Sequence, residues 1–405
     1  MRTSRFVCLL LAATLLVPAG AQTGKHPITH EDVWLMKRLG GPIVSPDGKW
    51  VVTAVTEPAY DEKDQASDLW ILPADGSASP RRLTATKAAE SGVSFSPDGK
   101  FLAFSTRREN DESPQIYLLE LGQPGEAQRL TNISTAARAP LWQPDGKAIL
   151  FQSDVYPGAK TDEENRKAAQ ERRARKWNAR VYDGFPIRDW DRWLDDRRPS
   201  LLVQGTEPGS EARDILAGSR LASSPGFGGQ MGSGSENFAA VWTPDGQGVV
   251  FAATANRNEA AFADTVQSLF LVPAGGGEPK RLTADSDSYA DPAFSRDGKT
   301  LFARMEPKTG RVYNAARLVR WSWPETGGRT IVTGTFDRSV GNFATTPDGR
   351  SVVFLAEDTK CGNGDALHYR LQSSVHVRTN GESPVSSVIS RSRFLWPHWK
   401  TPVQG

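Results

Sequence analysis

The chain has 405 residues, 38% hydrophobic and 24% charged, with 37 Gly and 27 Pro but only 5 His and 2 Cys. A globular charged fraction and a formal net charge of +2 exclude a disordered charged tail and imply no nucleic-acid partner. The length fits two or three ordinary domains or one large repeat, and the Gly and Pro content points to many turns between short strands.

In chain order, Arg2 and Arg5 precede an apolar run over residues 6–17, and Ala19, Gly20 and Ala21 supply small residues where a signal peptidase reads them. This predicts a secretory signal peptide over residues 1–21, cleaved before Gln22, and a secreted or periplasmic mature chain. The run is too short for a membrane anchor, and no later stretch reaches transmembrane length, so no membrane span is expected. Without Arg2 and Arg5 the basic and acidic counts are equal. Cys8 falls in the leader, which leaves Cys361 without an intramolecular partner. Residues 22–40 form a leading segment.

The pattern Ser45-Pro46-Asp47-Gly48 then recurs around Asp98, Asp145, Asp245, Asp297 and Asp348, at Asp-to-Asp spacings of 51, 47, 100, 52 and 51. Pro presets the first corner of a tight turn, Asp bonds the backbone downstream and Gly accepts the left-handed corner. A β-rich run follows most turns, a third strand such as Leu69-Trp70-Ile71-Leu72 comes about twenty residues later, and a fourth ends in Arg82-Leu83-Thr84, Arg129-Leu130-Thr131 or Arg281-Leu282-Thr283. Four strands per unit of about 50 residues predict an all-β fold, a β-propeller of about six to seven four-stranded blades over residues 41–358. The recurrent Asp, Arg and Thr are assigned to turns and hydrogen bonds. One carboxylate per turn does not gather the six to eight oxygens calcium needs, so no metal and no cofactor are expected.

The 100-residue interval is a blade with a helical insertion at about residues 160–198. Thr161 to Glu164 reads as a capping box, acids open the helix and Arg172, Arg173 and Arg175 close it. Glu163 with Lys167 and Glu171 with Arg175 sit at ion-pair spacing, and Ala168, Ala169 and Trp177 form a thin apolar face.

No Gly-x-Ser-x-Gly elbow occurs. The histidines are His26, His30, His368, His376 and His398, so no imidazole lies between Glu31 and Leu367, and no catalytic residue is assigned. Residues 226–234 are glycine-rich but lack the lysine of a phosphate loop.

The leading run Ile28-Thr29-His30-Glu31-Asp32-Val33, the insert ending in Arg188-Asp189-Trp190-Asp191-Arg192-Trp193, and Gly234-Ser235-Glu236-Asn237-Phe238 together resemble secreted peptidases of the prolyl oligopeptidase family. The likeness is to their dipeptidyl-peptidase and acylaminoacyl-peptidase branch, over roughly residues 28–358, although His is usual there at the place of Asp189. It implies a propeller that screens peptides by size before an α/β-hydrolase domain. The insert would then contact the peptide's N-terminus through Arg188, Trp190, Asp191 and Trp193, a carboxylate pairing with the ammonium and an indole packing beside it. Glu163 and Glu164 are weaker candidates, and the alternative for Trp190 and Trp193 is that they anchor the insert to the blades.

After Asp358 the repeat fails, and residues 359–405, without a third strand followed by an Arg-Leu-Thr strand, read as a divergent or non-native tail, as a frameshift truncating a longer gene before its hydrolase domain would give. An intact downstream frame at the locus would support that origin. The competing function is a non-enzymatic periplasmic binding propeller of the TolB-like kind. Six visible turns leave the ring expected to be open, with exposed strand edges and low solubility.

Overall fold

The computed structural model describes residues 27–358 and 370–378, except 124, 178, 183, 190, 232–235, 347, 348 and 350. The proposed signal peptide, Trp190, the sixth Asp of the repeat and most of the tail thus lie outside the described residues. Six antiparallel sheets succeed one another, confirming the expected all-β propeller architecture. In the first, Arg38–Leu39 and Ile43–Val44 both pair with Trp50–Glu57, which pairs with Ala66–Pro73 and then Arg81–Arg82. The second blade is Ser91–Phe95, Phe101–Thr106, Gln115–Glu120 and Gln128–Arg129; the third is Arg138–Trp142, Ala148–Val155, Arg198–Gly205 and Arg213–Asp214. The fourth is Ala240–Trp242, Gly248–Thr254, Gln267–Pro273 and Lys280–Arg281, and the fifth is Ser288–Phe294, Thr300–Glu306, Arg317–Ser322 and Thr330–Ile331.

The sixth holds Phe343–Thr345, Ser351–Asp358 and Arg370–Arg378. That last strand, Arg370 to Arg378, pairs antiparallel with Ser351 to Asp358, and no Arg-Leu-Thr run follows it in the sequence. Its alternation of polar with β-branched residues is weak as a pattern but sufficient once a partner strand stands beside it.

The repeat turns are built alike. Ser45 Oγ donates to Asp47 Oδ1 at 2.6 Å and accepts from Trp50 N, while Lys49 N donates to the same carboxylate oxygen. Ser96, Thr243 and Ser295 repeat the hydroxyl–carboxylate bond at 2.6 Å. These bonds hold Asp47, Asp98, Asp245 and Asp297 below the usual carboxylate range, the Ser or Thr hydroxyl contributing most. The third blade departs: Gln143 replaces the hydroxyl and sends Nε2 to the carbonyl of Gly246, in the next blade's turn, at 2.8 Å.

The Thr of Arg-Leu-Thr is also structural. Thr84, Thr131, Thr283 and Thr333 each accept, through Oγ1, the amide of the third strand of their own blade, from Leu69, Ile116, Leu269 and Leu318. Each buried hydroxyl satisfies a strand amide that the two-residue fourth strand does not reach.

Both faces of the middle strands are buried, so successive residues serve different cores. Val249 and Phe251 pack towards the third blade, Val250 and Ala252 towards the fifth. Five such clusters join the six sheets in sequence, and among the described residues none joins the sixth to the first. In the link between the first two blades, Glu90 is 4% exposed and accepts from Thr86 Oγ1 at 3.0 Å. Burial pushes its carboxyl up to about 7.

Candidate functional site

The insert leaves the third blade after Val155 and returns at Arg198. Its helix, Asp162–Arg173, starts at Thr161, whose Oγ1 accepts from Glu164 N at 3.2 Å. The expected reciprocal bond goes elsewhere: Glu164 Oε2 accepts from Lys160 N, one residue before the cap. Among the described residues neither expected ion pair forms; Arg175 lies over the Trp177 ring instead, and the neighbouring Arg172 reaches out to Asp196. The pair that does form along the helix is Asp162 with Arg166 at 2.8 Å. The expected apolar face of Ala168, Ala169 and Trp177 is not the anchor either, and Trp177 is 50% exposed. Asn165 is the buried helix residue, accepting from Tyr156 N at 2.8 Å and donating to Thr161 O. Asp162 also accepts from Ser134 N and Oγ, both at 2.7 Å. The helix is therefore docked on the blades by polar bonds.

Beyond it, Arg188–Asp189 and Arg192–Trp193 form a short hairpin, with Arg188 opposite Trp193. Leu194 N donates to Ile187 O, Tyr182 OH to Leu194 O at 2.8 Å, and an Arg180 Nη to Trp193 O at 2.9 Å, which fixes the hairpin base. The Arg188 guanidinium lies 6.0 Å from the Trp193 ring centroid and Tyr182 lies 6.3 Å from it. Phe185, Ile187, Arg188, Asp191 and Trp193 line a shallow pocket of about 720 Å³. Three of the four residues chosen from sequence thus share one pocket, and Trp190 lies outside the described residues. Trp193 is 55% exposed with its ring partners inside the insert, so it does not anchor the insert to the blades. Of the weaker candidates, Glu164 is engaged by Lys160 and Glu163 is solvent-exposed.

Chemically, this pocket offers a carboxylate, a guanidinium and apolar ring surface, with no Ser, Cys or His among its lining residues. Among the described residues no group of three or more His, Cys, Asp or Glu is placed to hold a metal ion, and no helix is long and apolar enough to cross a membrane.

Sequence reasoning missed a buried charge cluster at the root of the insert. Glu236 Oε2 accepts from Gly229 N at 3.1 Å, and the same carboxylate pairs with Arg257. Burial raises the Glu236 pKa in spite of Arg257 and Arg198. Arg198 donates to the carbonyls of Ser224, Pro225 and Phe227 at 3.1, 3.4 and 3.2 Å, and burial lowers its pKa. The cluster pins residues 224–229 where the insert re-enters the sheet. No local pattern links Glu236 to Arg257, which flank the fourth blade's first two strands and meet only when Ala240–Trp242 and Gly248–Thr254 pair.

No family model matches the chain. It is 28% identical over 347 residues to dipeptidyl-peptidase 5 of Porphyromonas gingivalis, a match covering 85% of this chain and 48% of that protein. It is 26% identical over 258 residues to dipeptidyl-peptidase 5 of Aspergillus fumigatus, covering 55% of this chain and 34% of that protein. The chain thus spans half or less of these curated relatives. Among solved structures, the acylaminoacyl peptidase of Pyrococcus horikoshii superposes with a TM-score of 0.58 at 16% identity, covering 85% of this chain and 46% of that one. What the six sheets and their insert build is a β-propeller similar to the dipeptidyl-peptidases 5 and acylaminoacyl peptidases of the prolyl oligopeptidase family.

Proposed function

We propose that this propeller is the substrate-screening part of an exported serine peptidase that removes dipeptides or acylated residues from peptide N-termini, and that the hairpin at residues 188–193 touches the peptide. The observation that carries this reading is the pocket in which Arg188, Asp191 and Trp193 converge on the insert. Asp191 would take the peptide's ammonium in a charge-assisted bond, while Trp193 and Phe185 would cover an apolar side chain. The likeness to dipeptidyl-peptidases 5 supports the substrate class, and the leader-like residues 1–21 support export.

The test is peptide binding by the chain, measured by calorimetry with a free-amine tetrapeptide and its N-acetylated twin. Asp191→Asn is expected to weaken the free-amine peptide at least fivefold and to leave the acetylated one unchanged; equal affinities in both proteins would sink the assignment. The chain is expected to bind such peptides without cleaving them. Turnover of dipeptidyl or acyl-aminoacyl chromogenic substrates would show that it holds hydrolytic machinery of its own.

A further inference from the structure

A second cavity, of about 780 Å³, lies between the second and third blades on the side of the Pro-Asp-Gly turns. Its volume is that of an ordinary ligand cleft. Phe101, Leu118, Leu119, Leu130 and Trp142 give it an apolar floor. Trp142 donates its indole N–H to Ser94 O at 3.2 Å, so what it offers the groove is ring carbon. Five carboxylates, Asp98, Glu120, Glu126, Asp145 and Glu207, stand around that floor with one cation, Arg129.

Arg129 does not neutralise them, because it is drawn to the buried Asp111 at 3.2 Å and to Thr131 O at 2.9 Å. The ion-pair partners of Asp98 and Glu126 are distant, Lys100 at 3.6 Å and Arg108 at 3.9 Å, and the bonds that Asp98 accepts from Ser96 Oγ and Lys100 N bring it no countercharge. Among the described residues, Glu120 and Glu207 form no ion pair. The walls are fixed in advance: Gln204 Nε2 bonds both Leu130 O and Ser210 O at 2.9 Å, tying the third blade's outer loop to the second blade. A rigid floor lowers the ordering cost of binding.

We propose that this groove docks an extended, lysine- or arginine-bearing segment of a partner protein. Its lining takes in the turn at residues 96–98, the outer strands of the second blade and the loop at 206–210, so that an occupant would contact both blades at once. In an extended segment alternate side chains point to opposite sides. Apolar residues would enter the floor while cations meet the rim. Opposed charges of this kind set the rate and selectivity of encounter and are screened by salt. The site is remote in sequence from the insert's hairpin and does not depend on the role given to that hairpin.

Fluorescence anisotropy with a labelled nonapeptide of alternating Lys and Leu, and a Glu–Leu peptide of the same length, tests the proposal on the full chain. The basic peptide is expected to bind and the acidic one not to. The double variant Glu120→Gln/Glu207→Gln should weaken the basic peptide at least tenfold, and Asp264→Asn on the fourth blade should leave it unchanged. Both glutamates are exposed, and a thermal melt superposing on that of the parent verifies that the double variant folds. Equal binding of the two peptides, or undiminished binding by the folded double variant, overturns the proposal.

Discussion

The leading edge of the first blade and the same edge of the later blades are one sequence pattern in two environments. The residue before the turn is Val44 in the first blade, Phe95 in the second and Trp242 in the fourth. Val44 is 57% exposed, whereas Phe95 and Trp242 are 9% and 5% exposed. The turn glycines differ in the same way. A Cβ on Gly298 would meet Pro244 at 2.7 Å and one on Gly99 would meet Pro46 at 3.8 Å, but nothing lies within 4 Å of the same point on Gly48. The second to fifth turns each rest on the turn before, whereas nothing lies within 4 Å of the same point on Gly48 in the first or on Gly349 in the sixth. The repeat therefore specifies a blade, while burial is supplied by the neighbouring blade. The first blade presents the face that all others have covered.

Substitutions can break this comparison. The largest effect is expected for Trp242→Ala, which empties a site in the core between blades three and four and should cost about 3–5 kcal/mol in urea unfolding. Val44→Ala at the uncovered counterpart should change stability by less than about 0.5 kcal/mol. Similar losses at both positions would mean that the first blade's face is covered after all.

Glu90, between the first two blades, should make that junction sensitive to pH. Its folded carboxyl titrates at about 7 against an ordinary value of 4.5, so between the two the folded state holds a proton that the unfolded state has released. Stability should therefore be full below about 4.5 and fall as pH rises through 7, by at most about 3 kcal/mol. Glu90→Gln should remove most of this decline between pH 5 and pH 8. An unchanged slope in the variant would assign the decline to other groups.

At the glycines, Gly48→Ala should cost about 1–2 kcal/mol for the left-handed backbone alone. Gly298→Ala should cost roughly 1–3 kcal/mol more, because its methyl meets Pro244. The difference between the two, from paired denaturation curves, measures how tightly adjacent turns nest. A comparable loss, about 1 kcal/mol, is expected for Ser96→Ala, which removes the hydroxyl that donates to Asp98 and accepts from Phe101 N. Asp98 should then titrate closer to the ordinary carboxylate range by NMR. Its low folded pKa stabilises above the unfolded value, and that contribution is lost as pH falls through the folded one.

The parts legible in the sequence are those whose bonds are local. Ser96, Asp98 and Lys100 satisfy one another within five residues, and the middle strands are apolar on both faces, so turns and blades could be read directly. The helix could be placed but not its docking, because Asn165 and Asp162 look like ordinary surface residues until Tyr156 and Ser134 stand beside them. Arg188, Asp191 and Trp193 could be brought together because a six-residue hairpin holds them. Glu236 with Arg257 depends on the pairing of the two strands they flank, the acidic groove on packing between blades, and neither leaves a short-range trace.

Gln143 carries a consequence for the insert beside it. Its bond to Gly246 spans 103 positions, Trp242 Nε1 reaches Leu141 O across 101, and Gln152 exchanges two bonds with Phe238 across 86. These side chains clasp blades three and four directly, and inside the third blade Ala148–Val155 pairs with Arg198–Gly205 residue by residue, so the insert that joins those two strands carries little of the mechanical load. The insert behaves as a replaceable cassette: its length and contents can drift, and recognition can be retuned, while the ring around it keeps its form.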